Sequence, residues 1–223
     1  MRYTRAKICC ISSIAEARMA IAYGADALGL VSSMPSGPGV ITEEQIITIA
    51  AMVPPGVATF LLTSAQDVSA IIAQQRRCRT NTIQIVDRLT EGTHADLREA
   101  LPGIGLVQVI HVQDESSIAE AVALAPNVDA ILLDSGNQKL AVKELGGTGR
   151  THDWRLSRRI REAIAPTPLY LAGGLRPENA ADAIATVEPF GLDICSGVRS
   201  DDRLDEAKLA RYMAIVRKGE TDG

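Results

Sequence analysis

Two residues able to move protons stand at the ends of apolar runs in this chain. The run Ala130-Ile-Leu-Leu-Asp134 closes on a carboxylate, and the glycine-rich stretch Leu145-Gly-Gly-Thr-Gly-Arg-Thr-His-Asp-Trp154 follows it. A buried strand that ends on an acid and opens into such a loop suits a phosphorylated ligand, because backbone amides beside glycine can approach an anion closely. Against so much apolar surface the Asp134 carboxyl can be held protonated, as a general acid must be. The other reading of the same residue is an N-cap or a loop brace. Cys9 ends the first apolar run, where a thiolate can act as a general base if a dipole or cation favours it, although a cysteine in such a run also serves as a small buried hydrophobe. On an extended strand Cys10 faces the opposite way, so at most one of the two points into a shared site.

Two further loops carry the phosphate reading. Leu171-Ala-Gly-Gly-Leu-Arg-Pro-Glu-Asn179 follows the seventh apolar run and Cys195-Ser-Gly-Val-Arg199 the eighth. In a (β/α)8 barrel these are the positions where backbone amides and a helix N-terminus commonly hold a phosphate, and the alternative is a pair of tight turns. The histidines His94, His111 and His152 lack metal-ligand spacing, so no metal is expected.

The elements that must position these residues alternate regularly. Apolar, β-rich runs recur at Ala6-Cys10, Ala27-Val31, Val57-Leu62, Thr82-Val86, Leu106-Val112, Ala130-Leu133, Leu169-Ala172 and Leu192-Cys195. Helical periodicity separates them at Ile14/Ala17/Ile21, Ile46/Ile49/Val53, Val68/Ile71/Ile72, Ile118/Ala121/Val122, Ile160/Ile164 and Ala180/Ile184/Val187. Capping-box spacing opens three of the helices, at Ser13/Glu16, Thr42/Gln45 and Ser64/Asp67. Strands apolar on both faces imply a parallel sheet covered by helices, and eight units in one chain predict a single-domain (β/α)8 TIM barrel over residues 1–223. An open doubly wound sheet is the alternative, since periodicity does not prove closure. The stretch from Ser135 to His152 is the longest interruption and reads as a functional lid.

A chain of 223 residues that is 46% hydrophobic buries one sizeable core. Its net charge of -4 argues against a nucleic-acid surface. The clusters Arg76-Arg77-Arg79 and Arg155/Arg158/Arg159 read as solvated helix faces. Cys9, Cys10, Cys78 and Cys195 show neither Cys-x-x-Cys spacing nor disulfide-like density, and no signal segment opens the chain. Together these features predict a cytoplasmic protein with reduced thiols. No run is long and apolar enough for a membrane span, and no contiguous apolar helix face sets an oligomeric state.

In their order along the chain these motifs resemble phosphoribosylanthranilate isomerase, a family of the tryptophan pathway that rearranges an aminoaldose phosphate to an aminoketose phosphate. The similarity runs through Lys7-Ile-Cys9, Gly24-Ala-Asp-Ala-Leu-Gly-Leu30, Leu132-Leu-Asp134, Gly146-Gly-Thr-Gly-Arg-Thr-His-Asp-Trp154, Leu171–Asn179 and Gly191-Leu-Asp-Ile-Cys-Ser-Gly-Val198. The resemblance implies Cys9 as general base and Asp134 as general acid. It further implies that Gly147, Thr148, Gly149, Gly173, Gly174, Asp193, Ser196, Gly197 and Arg199 bind the phosphosugar substrate, and that no cofactor is needed because the substrate's nitrogen is the electron sink. Where the family usually reads Cys-Gly-Ile-Thr this chain has Cys9-Cys-Ile-Ser12, and Gln84-Ile-Val-Asp87 stands for Gln-Leu-His-Gly. Gly37-Pro-Gly39 replaces Ser-Pro-Arg, which removes the arginine that pairs with the anthranilate carboxylate. Arg199, Arg176 or the amides of Gly37–Gly39 are then left to meet that carboxylate. Three functions fit: an isomerase of phosphoribosylanthranilate, an isomerase of another aminated or keto sugar phosphate, and a non-catalytic phosphosugar-binding barrel. Both Cys9 and Asp134 favour an enzyme, because phosphate capture needs neither.

Overall fold

Strand residues that are buried on both faces need a covering layer on each side, and the chain supplies one by closing its sheet on itself. A computed structural model describes residues 3–135 and 152–218. Its strands are β1 (Arg5–Ile8), β2 (Ala27–Val31), β3 (Ala58–Thr63), β4 (Thr82–Ile85), β5 (Gly105–His111), β6 (Ala130–Asp134), β7 (Leu169–Leu171) and β8 (Gly191–Ile194). They form a closed parallel barrel in sequence order, with β1 paired to β8. This excludes the open doubly wound sheet.

The helices are α1 (Ile14–Ala22), α2 (Glu43–Met52), α3 (Val68–Cys78), α4 (His94–Ala100), α5 (Ser116–Leu124), α6 (Trp154–Ala163), α7 (Pro177–Val187) and α8 (Glu206–Lys218). They cover the outward strand residues, such as Ile8, Leu28, Leu61, Ile131 and Leu192, which form one core with the buried helix stripes. The inward residues form a second core inside the barrel, with Phe60, Val107, Leu132 and Tyr170 at its centre. Alternation along each strand therefore aims Lys7 and Cys9 from β1, Asp134 from β6 and Asp193 from β8 inward, towards the C-terminal mouth.

Two local expectations need correction. Ser64 and Asp67 do not form a capping box: Asp67 is itself the N-cap of α3 and accepts from Ser69 and Ala70 amides at 3.0 and 3.1 Å. Ser13 does cap α1, but the Glu16 carboxylate accepts elsewhere, from the Ser12 amide at 2.9 Å. Thr42 and Gln45 make the reciprocal pair expected of them. Helical periodicity in the sequence did not signal α4 and α8. Helix α4 spans seven residues and buries only Leu97, so it leaves no repeating stripe to read.

Candidate active site

At the mouth a cleft of about 640 Å³, counting its open side, is lined by Cys9, Asp134, Gly173, Gly174, Asp193 and Ser196 among others. These six come from the ends of β1, β6, β7 and β8. The loops after β7 and β8 are built against each other: a Cβ at Gly197 would lie 2.0 Å from the Leu175 carbonyl oxygen, so only glycine permits the approach. Asn179 braces the same corner, donating to Gly174 O at 3.0 Å and accepting from the Arg176 amide at 2.9 Å. Ser196–Val198 forms a short 3₁₀ turn there.

Asp134 is 9% exposed. Burial raises its pKa above the ordinary carboxylate value, opposed by His111 and by the Ser135 amide, which donates to Oδ1 at 2.7 Å. A carboxyl so placed favours its protonated form. Burial likewise pushes the Cys9 thiol up to about 11, against the pull of Lys7. Beneath it Lys7 Nζ lies 2.8 Å from Asp193 Oδ1, both side chains being buried. The cleft thus sets a thiol and a carboxylic acid around one space, the arrangement required to take a proton on one side of a ligand and give one on the other.

A model of the family described as N-(5'phosphoribosyl)anthranilate isomerase matches residues 6–214. The chain belongs to this family. An N-(5'-phosphoribosyl)anthranilate isomerase of Methanocella arvoryzae is 32% identical across 96% of this chain and 98% of its own. The corresponding protein of Haloferax volcanii is 34% identical across 96% and 93%. Among solved structures, phosphoribosyl anthranilate isomerase of Thermotoga maritima superposes with a TM-score of 0.80 at 27% identity, covering 96% of this chain and 99% of that one. A phosphoribosyl anthranilate isomerase in complex with reduced 1-(o-carboxyphenylamino)-1-deoxyribulose 5-phosphate gives 0.78 at 26% identity over the same shares.

Against the family pattern, two features of this chain interlock. Cys10 does not face away from the mouth as an extended residue would. It lies beyond the end of β1 in the left-handed region, at φ 62°, and lines the cleft together with Cys9. Its neighbour there is Gly39, at φ 76°, where a Cβ would fall 2.4 Å from the Cβ of Cys10. Cys10 and Gly39 therefore share one space, which a side chain at position 39 would have to contest. The expectation of reduced thiols is also corrected, since a disulfide joins Cys10 to Cys195 with Cα atoms 5.9 Å apart. The two cysteines are separated by 185 residues, so no spacing rule could signal the pair.

Arg199 stands apart from the cleft. Its guanidinium holds Glu16 at 3.1 Å, the Asp202 carbonyl at 2.9 Å and the Cys10 carbonyl. Glu16, which the sequence offered only as the capping-box partner of Ser13, also accepts from the amides of Ser12 and Leu204 at 2.9 Å. Burial would raise its pKa, but Arg199 and these amides hold it below the ordinary value. The pair ties the loop after β1 to the segment after β8, a positioning role rather than one of contact. Arg176 is exposed at the start of α7, outside the cleft. No Lys or Arg lines the cleft among the described residues. Gly147, Thr148 and Gly149, with most of the expected lid, lie outside the described residues.

Proposed function

We propose that this chain isomerises N-(5'-phosphoribosyl)anthranilate to 1-(o-carboxyphenylamino)-1-deoxyribulose 5-phosphate in tryptophan biosynthesis, with Asp134 as general acid and Cys9 as general base. The observation that carries the reading is the convergence of these two side chains on one cleft whose wall is formed by the abutting loops after β7 and β8. Asp134 protonates the furanose ring oxygen, and the C1–O bond breaks to leave a protonated Schiff base. Cys9, as thiolate, removes the proton from C2, and the electrons flow to nitrogen to give an enolamine. That enolamine tautomerises to the ketose. No outside electron acceptor enters, because one carbon is oxidised as its neighbour is reduced.

The phosphate sits against Gly173, Gly174, Ser196 and Gly197, where amides rather than lysines supply the donors. With Arg199 engaged by Glu16 and Arg176 outside the cleft, the carboxylate is met by amides of the Gly37–Gly39 loop. Among the described residues no helix is long and apolar enough to cross a membrane. We place the enzyme in the cytoplasm. The test is a steady-state assay that follows loss of phosphoribosylanthranilate fluorescence. Turnover that is lost in Asp134→Asn is expected, and no turnover by the unaltered chain would reject this substrate.

A further inference from the structure

At neutral pH a thiol with a pKa of about 11 is ionised in only about one molecule in ten thousand. A base at Cys9 therefore needs a charge that favours its anion. The sequence places that charge two residues earlier, since alternation along β1 brings the Lys7 side chain into the barrel on the face of Cys9, one layer below. Lys7 is fully buried, and Asp193, its register partner across β1 and β8, stands 2.8 Å from the ammonium. Ammonium and thiol crowd the same hollow over Gly29. A Cβ at that position would lie 3.1 Å from Lys7 Nζ and 2.7 Å from Cys9 Sγ. One buried cation thus borders two acids.

We propose that Lys7 is the shared counter-ion of Asp193 and Cys9, a positioning residue that never touches substrate but sets how readily Cys9 becomes the base. This rests on Cys9 being the base. With Asp193 ionised, its carboxylate holds the ammonium and the thiol keeps its proton. When Asp193 is neutral, the same ammonium is free to pair with the thiolate. Competition for one cation has a signature that mere packing lacks: removing the two partners must move Cys9 in opposite directions. The hollow matters to this, because any side chain at position 29 would displace the thiol, the ammonium or both.

Other ionisable groups face the trio from Asp134 on β6, His111 beside it on β5, Tyr170 on β7 and Arg5 one layer below on β1. Strands β2, β3 and β4 contribute Gly29, Phe60 and Gln84, which do not titrate, and Lys7 Nζ stands 5.2 Å from the Phe60 ring centre. None of these groups is changed by the substitutions that follow.

The experiment is a pH titration of the thiolate absorbance of Cys9, taken as the difference from Cys9→Ser under reducing conditions, together with the acid limb of kcat/KM for phosphoribosylanthranilate. Asp193→Asn should lower the Cys9 midpoint by about one unit or more, and Lys7→Met should raise it by a similar amount. Because Lys7→Met leaves Asp193 without its partner, the double variant Lys7→Met/Asp193→Leu provides a reference that lacks both charges of the pair, and its midpoint should also be raised. Lys7→Arg should restore most of the shift. Unmoved midpoints in folded Lys7→Met or in the double variant, or shifts of the same sign from Lys7→Met and Asp193→Asn, would overturn the proposal. If Cys9→Ser keeps full turnover, the assignment of the base fails instead, while the absorbance titration still reports whether Lys7 governs the thiol.

Discussion

Placing a side chain at position 39 probes the interlock between Gly39 and Cys10. Gly39→Ala places a Cβ 2.4 Å from Cys10 Cβ and 2.9 Å from its Cα, on a backbone at φ 76°. The left-handed conformation costs a non-glycine residue about 1–2 kcal/mol. Overpacking of the steric contact costs about 1–3 kcal/mol. Gly39→Ala should therefore destabilise the reduced protein by about 2–5 kcal/mol. Cys10→Gly removes the Cβ and Sγ that the new Cβ would meet at 2.4 and 3.0 Å and frees position 10 of the cost of its left-handed backbone, so the conformational share and the 2.9 Å approach to Cα should survive in the double variant. The cycle should give a coupling of about 1–3 kcal/mol, measured by urea unfolding followed by far-ultraviolet circular dichroism with reductant present throughout. Additivity to within about 0.5 kcal/mol would refute the shared-space argument. The same logic extends to binding. Gly39→Arg alone should not improve KM for phosphoribosylanthranilate, whereas Gly39→Arg with Cys10→Gly should lower it by about tenfold or more, as a charge-assisted hydrogen bond of about 1.5–3 kcal/mol allows.

Asp134→Asn keeps the side-chain size and removes the proton, so kcat should fall by roughly 10²–10⁴-fold with a much smaller change in KM; near wild-type turnover would make the residue structural. Cys9→Ser should damage turnover far more than Cys10→Ser, even though both side chains line the cleft, and equal losses in the same assay would reverse the choice of base. Reduction of the Cys10–Cys195 bond should cost up to about 5 kcal/mol in urea unfolding, because it frees a loop of 185 residues, and Cys10→Ser should show no such response to reductant. Burial lowers the pKa of His152, whose Nε2 lies 2.7 Å from Ser157 Oγ, from 6.5 to about 4. Its contribution is present above pH 6.5 and lost as pH falls towards 4, by at most about 3 kcal/mol, and His152→Asn should flatten that part of the stability profile.

The barrel was legible because its strands are apolar on both faces and the helices between them mostly carry long buried stripes. The place of Asp134 in the cleft was legible for the same reason, as it is the carboxylate at the end of Ala-Ile-Leu-Leu. Cys10 was not. The run from Ala6 to Cys10 reads as uniform strand, yet the ladder ends early and the backbone turns left-handed, which breaks the alternation that assigned it to the outer face. Arg199 lay in a phosphate-loop motif, but its partner Glu16 is 183 residues away, and only the folded chain brings them together. Lys7 was equally silent, a charge inside an apolar run whose meaning depends on a carboxylate on the last strand.

In a barrel made of consecutive strand–helix units, each neighbouring pair of strands is also joined through the chain, with one exception. The first strand and the last meet with no connecting helix, held by a ladder of four residue pairs between Arg5–Ile8 and Gly191–Ile194. Cys10 and Cys195 lie just past the ends of those two strands, so their bond supplies the covalent link that the linear order of the chain omits there. While it is intact the barrel is a continuous hoop at its mouth. Once it is reduced, the junction beside Cys9 and beneath the loops after β7 and β8 is the one pair of neighbouring strands whose opening needs no helix to be displaced, and amide exchange should become fastest along that edge.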